Sequence, residues 1–170
     1  QQMSDETKRD AMLAASLTAE DTDLLPFLPC LLQDLWELGA DPEMTVELLK
    51  AHVPGEIRAL DLACGKGAVS VRLAPNLGWQ VKGVDLIPEF IDTAREKAAE
   101  FGVADLCTFE VGDACEAAKF ERGYDCVVFA AAGNVMGEPP EMLQKLAAIV
   151  RPGGFVVIDE SYLPDGAAPD

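Results

Sequence analysis

Three aspartates and a pair of glycines stand where they could do chemistry. Asp61 lies in an apolar run, Ala59-Leu60-Asp61-Leu62-Ala63, that opens into Cys64-Gly65-Lys66-Gly67, and a helical stretch starts at Ala68. Gly65 and Gly67 permit a tight turn and a close approach of main chain to a ligand. The helix start behind them presents unpaired N–H groups at the positive end of a dipole. Asp85 ends a second apolar run about twenty residues after the glycines, a separation at which a carboxylate can accept hydrogen bonds from both hydroxyls of a ribose. Asp113, in Gly112-Asp113-Ala114, can accept from an exocyclic amine, or simply cap the helix behind it. A carboxylate beside such a loop suits a ligand with a cationic amine better than one with a pyrophosphate.

Those residues need a scaffold that brings the ends of several strands together. From residue 57 onward strands and helices alternate: strands at Ile57–Leu62, Trp79–Asp85, Cys107–Val111, Tyr124–Ala130 and Phe155–Asp159, and helices at Gly67–Pro75, Pro88–Phe101, Asp113–Lys119 and Pro140–Val150. Alternation of this kind predicts βαβ units and a parallel sheet. The strands are nearly continuous apolar runs, as expected when helices cover both faces. In a doubly wound sheet the ligand sits beyond the carboxyl ends of the strands, which is where Asp61, Asp85, Asp113 and the small residues Ala130–Asn134 fall.

Residues 4–52 read as helical. Leu24, Leu25, Leu28, Leu31, Leu32, Leu35, Trp36 and Leu38 form an amphipathic stripe at helical spacing, with Pro26 and Pro29 near its start and Gly39 as a C-cap. Asp41-Pro42 then reads as an N-cap with proline at the first helical position. Residues 1–54 are thus expected to form a helical segment and 55–170 the sheet, in one structural domain. Trp36 and Trp79 read as core, Asp125 as structural and His52 as a solvated helix end.

The chain carries 30 acidic against 13 basic residues, a net charge of −17. Such a balance repels phosphate backbones and anionic membranes, so neither nucleic acid nor membrane is an expected partner. No apolar run approaches the roughly 20 residues of a membrane span. The five cysteines lack C-x-x-C spacing and only one histidine is present, which argues against a disulfide framework and against a metal site. With no secretory leader in the first residues, these features point to a reducing, cytoplasmic setting.

Asp61-Leu-Ala-Cys-Gly-Lys-Gly67 resembles motif I of the class I S-adenosylmethionine-dependent methyltransferases. Val81-Lys-Gly-Val-Asp85 is similar to the acidic end of motif II and Val111-Gly-Asp113 to motif III. Tyr124-Asp-Cys-Val-Val128 is similar to the strand of motif IV, and Arg151-Pro-Gly-Gly154 to the turn before strand five. The resemblance runs from Ile57 to Asp159. It implies a doubly wound, Rossmann-like parallel sheet of order 3-2-1-4-5, S-adenosyl-L-methionine as cofactor, and methyl transfer to a small-molecule acceptor by in-line displacement. It also implies cofactor contacts: Asp61 near the methionine amine, the loop Ala63, Cys64, Gly65, Lys66 and Gly67 around the methionine portion, Asp85 at the ribose and Asp113 at the adenine. Leu86, Ile87, Gly112, Ala114 and Ala130 complete that set. The N-terminal helices would form a lid, and Asn134, His52, Glu160 and Tyr162 are possible acceptor contacts; no residue is assigned a catalytic role.

The region after strand four reads Gly133-Asn134-Val135-Met136. It holds neither the Asn/Asp-Pro-Pro-aromatic quartet of adenine or glutamine methylation nor a Pro-Cys pair for cytosine chemistry. Two other classes fit parts of the pattern. A nicotinamide-dinucleotide oxidoreductase would want a third glycine or alanine where Ser70 stands, and no Asp61. A non-catalytic cofactor-binding module is the second. The resembling family adds two further strands, so strand five is expected to be an apolar edge; the chain is then a fragment of a longer enzyme, or the edge is covered by a partner chain, as in a homo-oligomer, or by the amino-terminal helices.

Overall fold

Hydrophobic strands that alternate their side chains between two faces need helices on both, and the sorting is complete here. The computed structural model describes residues 10, 11, 14 and 23–160; Tyr162 and most of the stretch 4–22 lie outside the described residues. Strands β1 (Arg58–Leu62), β2 (Gln80–Asp85), β3 (Cys107–Val111), β4 (Tyr124–Ala130) and β5 (Val150–Asp159) pair in parallel throughout, in the order β3-β2-β1-β4-β5. This is the expected doubly wound, Rossmann-like sheet.

Helices α2 (Pro42–His52), α3 (Ala68–Leu77) and α4 (Pro88–Glu100) cover one face, where Val46, Leu49, Leu73 and Ile91 pack on Ala59, Val81, Cys126 and Val128. Helices α5 (Ala114–Phe120) and α6 (Pro139–Ile149) cover the other, with Ala118, Met142 and Leu146 on Leu60, Leu62, Val127 and Phe129. Val46, Leu49 and Val53 share the first core with the sheet, so α2 is built into the same hydrophobic unit. Trp79 is fully buried, its Nε1 donating to the Gly55 carbonyl at 3.0 Å, as read. No helix among the described residues is long and apolar enough to cross a membrane.

Two expectations fail for identifiable reasons. The stripe from Leu24 to Leu38 is not one helix: a 3-10 turn (Leu25–Phe27) and a single turn α1 (Leu28–Leu31) give way to bends up to Gly39. Pro26 and Pro29 each start one of these short pieces, where the missing N–H costs nothing. Gly39, at φ +119°, is a bend and not a helix cap. The second failure is at the sheet edge. Pro152-Gly-Gly154 does not precede β5 but bulges within it: two steps along β4, from Tyr124 to Cys126, face five along β5, from Val150 to Phe155. Asp125 anchors the bulge, accepting from the Arg58 N–H at 2.9 Å and pairing with the Arg151 guanidinium, a structural role as expected. Among the described residues β5 has only β4 beside it, and Phe155 stays 37% exposed.

Candidate functional site

The carboxyl ends of β1, β2, β3 and β4 open into one cavity, roofed by residues 28–40. Asp61, Ala63, Cys64, Gly65 and Lys66 line it from the β1 loop; Asp85, Leu86 and Ile87 from the end of β2; Gly112 and Ala114 from beyond β3; and Ala130 from β4. Of the nominated cofactor residues, Gly67 and Asp113 stay out of the lining.

Each has a measurable reason. Gly67 is the N-cap of α3 at φ +73°, and a Cβ there would lie 2.8 Å from the Ala94 Cβ and 3.0 Å from the Phe109 ring. Its lack of a side chain lets α3 close onto α4 and β3, which is a packing role. Asp113 caps α5, its Oδ1 accepting from the N–H groups of Cys115 at 2.6 Å and Glu116 at 3.3 Å, the simpler of its two readings.

Asp61 and Asp85 are the electrostatic centre of the cavity. Asp61 is 2% exposed, and the Ser70 hydroxyl donates to its Oδ2 at 2.6 Å. Burial, which disfavours its charge, pushes its pKa up to about 7; the Ser70 hydrogen bond opposes this and the nearby Asp85 adds to it. Asp85 accepts from the Gly65 N–H through Oδ2 at 2.8 Å and from the Ile87 N–H through Oδ1 at 2.9 Å. It thereby holds the glycine loop to the end of β2. Burial raises its pKa too, partly offset by those N–H donors. Two desolvated carboxylates facing one cavity favour a cationic ligand. The cavity's one lysine, Lys66, has its ammonium on main-chain carbonyls of residues 32–35.

Backbone strain marks the same place. Ala63 (φ +56°) and Ala131 (φ +51°) are the non-glycine residues with left-handed backbone among the described residues, and both line the cavity at the ends of neighbouring strands. Such strain concentrates at ligand sites. Cys64 is a half-buried wall whose thiol burial holds well above its ordinary pKa, so it stays protonated and unreactive.

Sequence reasoning expected a lid from the N-terminal segment but named none of the side chains that line the cavity from it. Leu28, Leu32, Trp36, Leu38 and Ala40 line the cavity, as do Phe90, Ala131, Ala132 and Val135. Trp36, read as core, is half-buried at the cavity wall, and its Nε1 donates to the Lys66 carbonyl at 3.0 Å. No local signal announces this, because the partner lies thirty positions away. Of the possible acceptor contacts, His52 is exposed at the end of α2 and Asn134 is exposed in a 3-10 turn (Gly133–Met136); neither lines the cavity. Glu160 instead accepts from the N–H groups of Ala132 and Gly133, both at 2.9 Å, and so fixes the loop after β4.

The sheet order, the cavity at its carboxyl edge and the acid-flanked glycine turn together define a doubly wound α/β domain with a candidate ligand site. A family model described as a methyltransferase domain matches residues 59–154, and the chain belongs to that family. A ubiquinone biosynthesis O-methyltransferase of Burkholderia thailandensis is 36% identical over 107 residues, covering 62% of this chain and 44% of that protein. A probable chloroplastic tocopherol O-methyltransferase of Oryza sativa subsp. japonica is 32% identical over 99 residues, covering 58% of this chain and 27% of that protein. The chain therefore spans less than half the length of these curated relatives. Among solved structures, a SAM-dependent methyltransferase from Thiobacillus denitrificans in complex with S-adenosyl-L-homocysteine superposes with TM-score 0.66 at 24% identity, covering 78% of this chain and 54% of that one. A precorrin 8w decarboxylase from Methanobacterium thermoautotrophicum superposes with TM-score 0.59 at 29% identity, covering 72% and 64%.

Proposed function

We propose that this chain carries the cofactor site of an enzyme that transfers a methyl group from S-adenosylmethionine to a small-molecule acceptor. The observation that carries the reading is the buried pair Asp61 and Asp85, set on either side of the left-handed loop Ala63–Gly67 and open to one cavity. The cofactor, when bound, supplies an electrophilic methyl group on a cationic sulfonium and departs as a neutral thioether.

The residues present fit such a group. Asp61, ionised, receives the amino group of the methionine portion, and the Ala63–Gly67 main chain frames that portion. Asp85 keeps both of its backbone bonds and uses its remaining lone pairs on the ribose hydroxyls. Leu86, Ile87, Gly112, Ala114 and Ala130 enclose the adenine. The chain's contribution to rate is orientation and exclusion of water under the roof. A base is needed only where the acceptor must lose a proton first.

The names of the relatives favour an oxygen acceptor, and the apolar roof of Leu28, Leu32, Trp36 and Leu38 favours an uncharged one. Nucleic acid is disfavoured by the charge of −17. The five free cysteines suit a cytoplasmic setting. Calorimetric titration with S-adenosylmethionine, S-adenosylhomocysteine and NAD tests the reading. Binding of the first two alone supports it, and binding of NAD alone overturns it. Methylated product with a phenolic acceptor would separate the enzyme from a non-catalytic binding module.

A further inference from the structure

We propose that Lys66 is a positioning residue of the cofactor cavity: its ammonium clasps residues 24–38 shut over the cavity and so sets how fast an adenosyl ligand enters and leaves. The inference rests on the cofactor reading above.

The side chain of Lys66 leaves the glycine loop for the strap above it. Its Nζ donates to the carbonyls of Leu32 at 2.5 Å and Leu35 at 2.6 Å, with that of Gln33 at 3.4 Å. The Phe90 ring centroid stands 5.6 Å away on the cavity side. The residue is 4% exposed. Its charge is met by carbonyl dipoles and an aromatic face, with Asp34 contributing at longer range against the burial that lowers its pKa. A buried ammonium must keep its acceptors, and hydrogen bonds to a charged donor are the stronger kind. The acceptors are carbonyls at and beyond the end of α1; that of Leu32 also accepts from the Leu35 N–H at 3.0 Å, so the ammonium joins a turn that the main chain has already closed.

The rest of the strap makes this clasp decisive. Its inner side chains, Leu25, Leu28, Leu32 and Leu38, pack on Leu86, Ile87 and Phe90, which follow the ribose carboxylate Asp85. Its outer side chains, Leu24, Phe27, Leu31 and Leu35, are 53–62% exposed. The strap thus has exposed side chains on one side and the cavity on the other. Trp36 is its fixed end, its ring tilted by 39° against Phe101 at 5.1 Å between centroids, with the cations of Arg72 and Lys97 over it, and bonded to the Lys66 carbonyl. Residue 66 so holds the strap through its side chain and its main chain. Its neighbour Gly65 is held by Asp85, which links the clasp to the ribose anchor. A ligand seated on Asp85 and Ile87 would lie against the inner side chains of the strap, and opening the clasp would widen its path.

Binding kinetics of S-adenosylhomocysteine on the immobilised 170-residue chain, read by surface plasmon resonance, test this. Lys66→Met keeps the length of the side chain and removes the donors. Its association and dissociation rate constants are both expected to rise, each on the order of tenfold, as charged hydrogen bonds are lost. Lys66→Arg, which keeps a cation, is expected to restore much of the slow exchange. A role confined to stability would lower the melting temperature without speeding association. Where Lys66→Met does not fold, Trp36→Phe decides: it removes the bond to the Lys66 carbonyl, keeps an aromatic ring, and should move both rates the same way by less. Unchanged rates in a folded variant overturn the clasp alone. Absence of S-adenosylhomocysteine binding by the unaltered chain overturns the cofactor reading and the clasp with it.

Discussion

Burial outweighs the bond from Ser70 and lifts the Asp61 pKa to about 7, so cofactor binding through this carboxylate is expected to depend on pH. A cationic amine needs the carboxylate, so affinity for S-adenosylmethionine should rise with pH and level off above about 7, with a limiting slope of about tenfold per unit below it. Binding should release a proton between the ordinary carboxylate value of 3.8 and about 7, measurable by titration in buffers of different ionisation enthalpy. Asp61→Asn should flatten the profile. The folded protein holds this proton more tightly than the unfolded chain. The stability it contributes is therefore fully present below about pH 4 and lost as pH rises through about 7. Asp61→Asn should accordingly raise the melting temperature at pH 8 while weakening the cofactor. Asp85→Ala should weaken S-adenosylhomocysteine binding by about 1–3 kcal/mol and also lower stability, since the N–H groups of Gly65 and Ile87 lose their acceptor. Calorimetry with a thermal melt separates the two effects.

At the scale of elements, the alternation from residue 57 onward was legible because each strand and helix carries its own period, start and stop. Asp41 accepts from the Met44 N–H at 2.9 Å as an N-cap, with Pro42 at the first helical position. The strap was illegible because its leucines repeat at helical spacing while its carbonyls are taken by a lysine thirty or more residues away. Gly67 shows a partial reading: its place in the turn was plain, but its purpose is contact between elements. Gly67→Ala should cost stability by about 1–3 kcal/mol, from a strained left-handed backbone and a clash with Ala94 and Phe109. Denaturant unfolding checks this. A loss of cofactor affinity in a variant of native stability would return Gly67 to the ligand.

For the whole molecule, a net charge of −17 on 170 residues sets a uniform self-repulsion. Lysines and arginines are spent in local pairs, such as Lys82 between Glu110 and Glu121 at 2.9 and 2.8 Å, and do not neutralise it. Raising sodium chloride from low to moderate concentration should therefore raise the melting temperature, by roughly 2–4 °C for each kcal/mol of repulsion screened. Scanning calorimetry across a salt series checks this; a melting temperature that falls with salt would mean that the local ion pairs outweigh the net charge.

The sequence by itself determined the alternation of strands and helices, the cover on both sheet faces and the acid-flanked glycine loop, because these follow from local periodicity and from motif spacing along one chain; the strand order came only through the resemblance to a known family. Only the tertiary structure decided that Asp61 and Asp85 share a desolvated cavity, that Gly67 and Asp113 serve packing and capping, and that residues 24–38 form a roof held by Lys66. Those outcomes depend on burial and on contacts between distant positions, and neither quantity is written in the local order of residues.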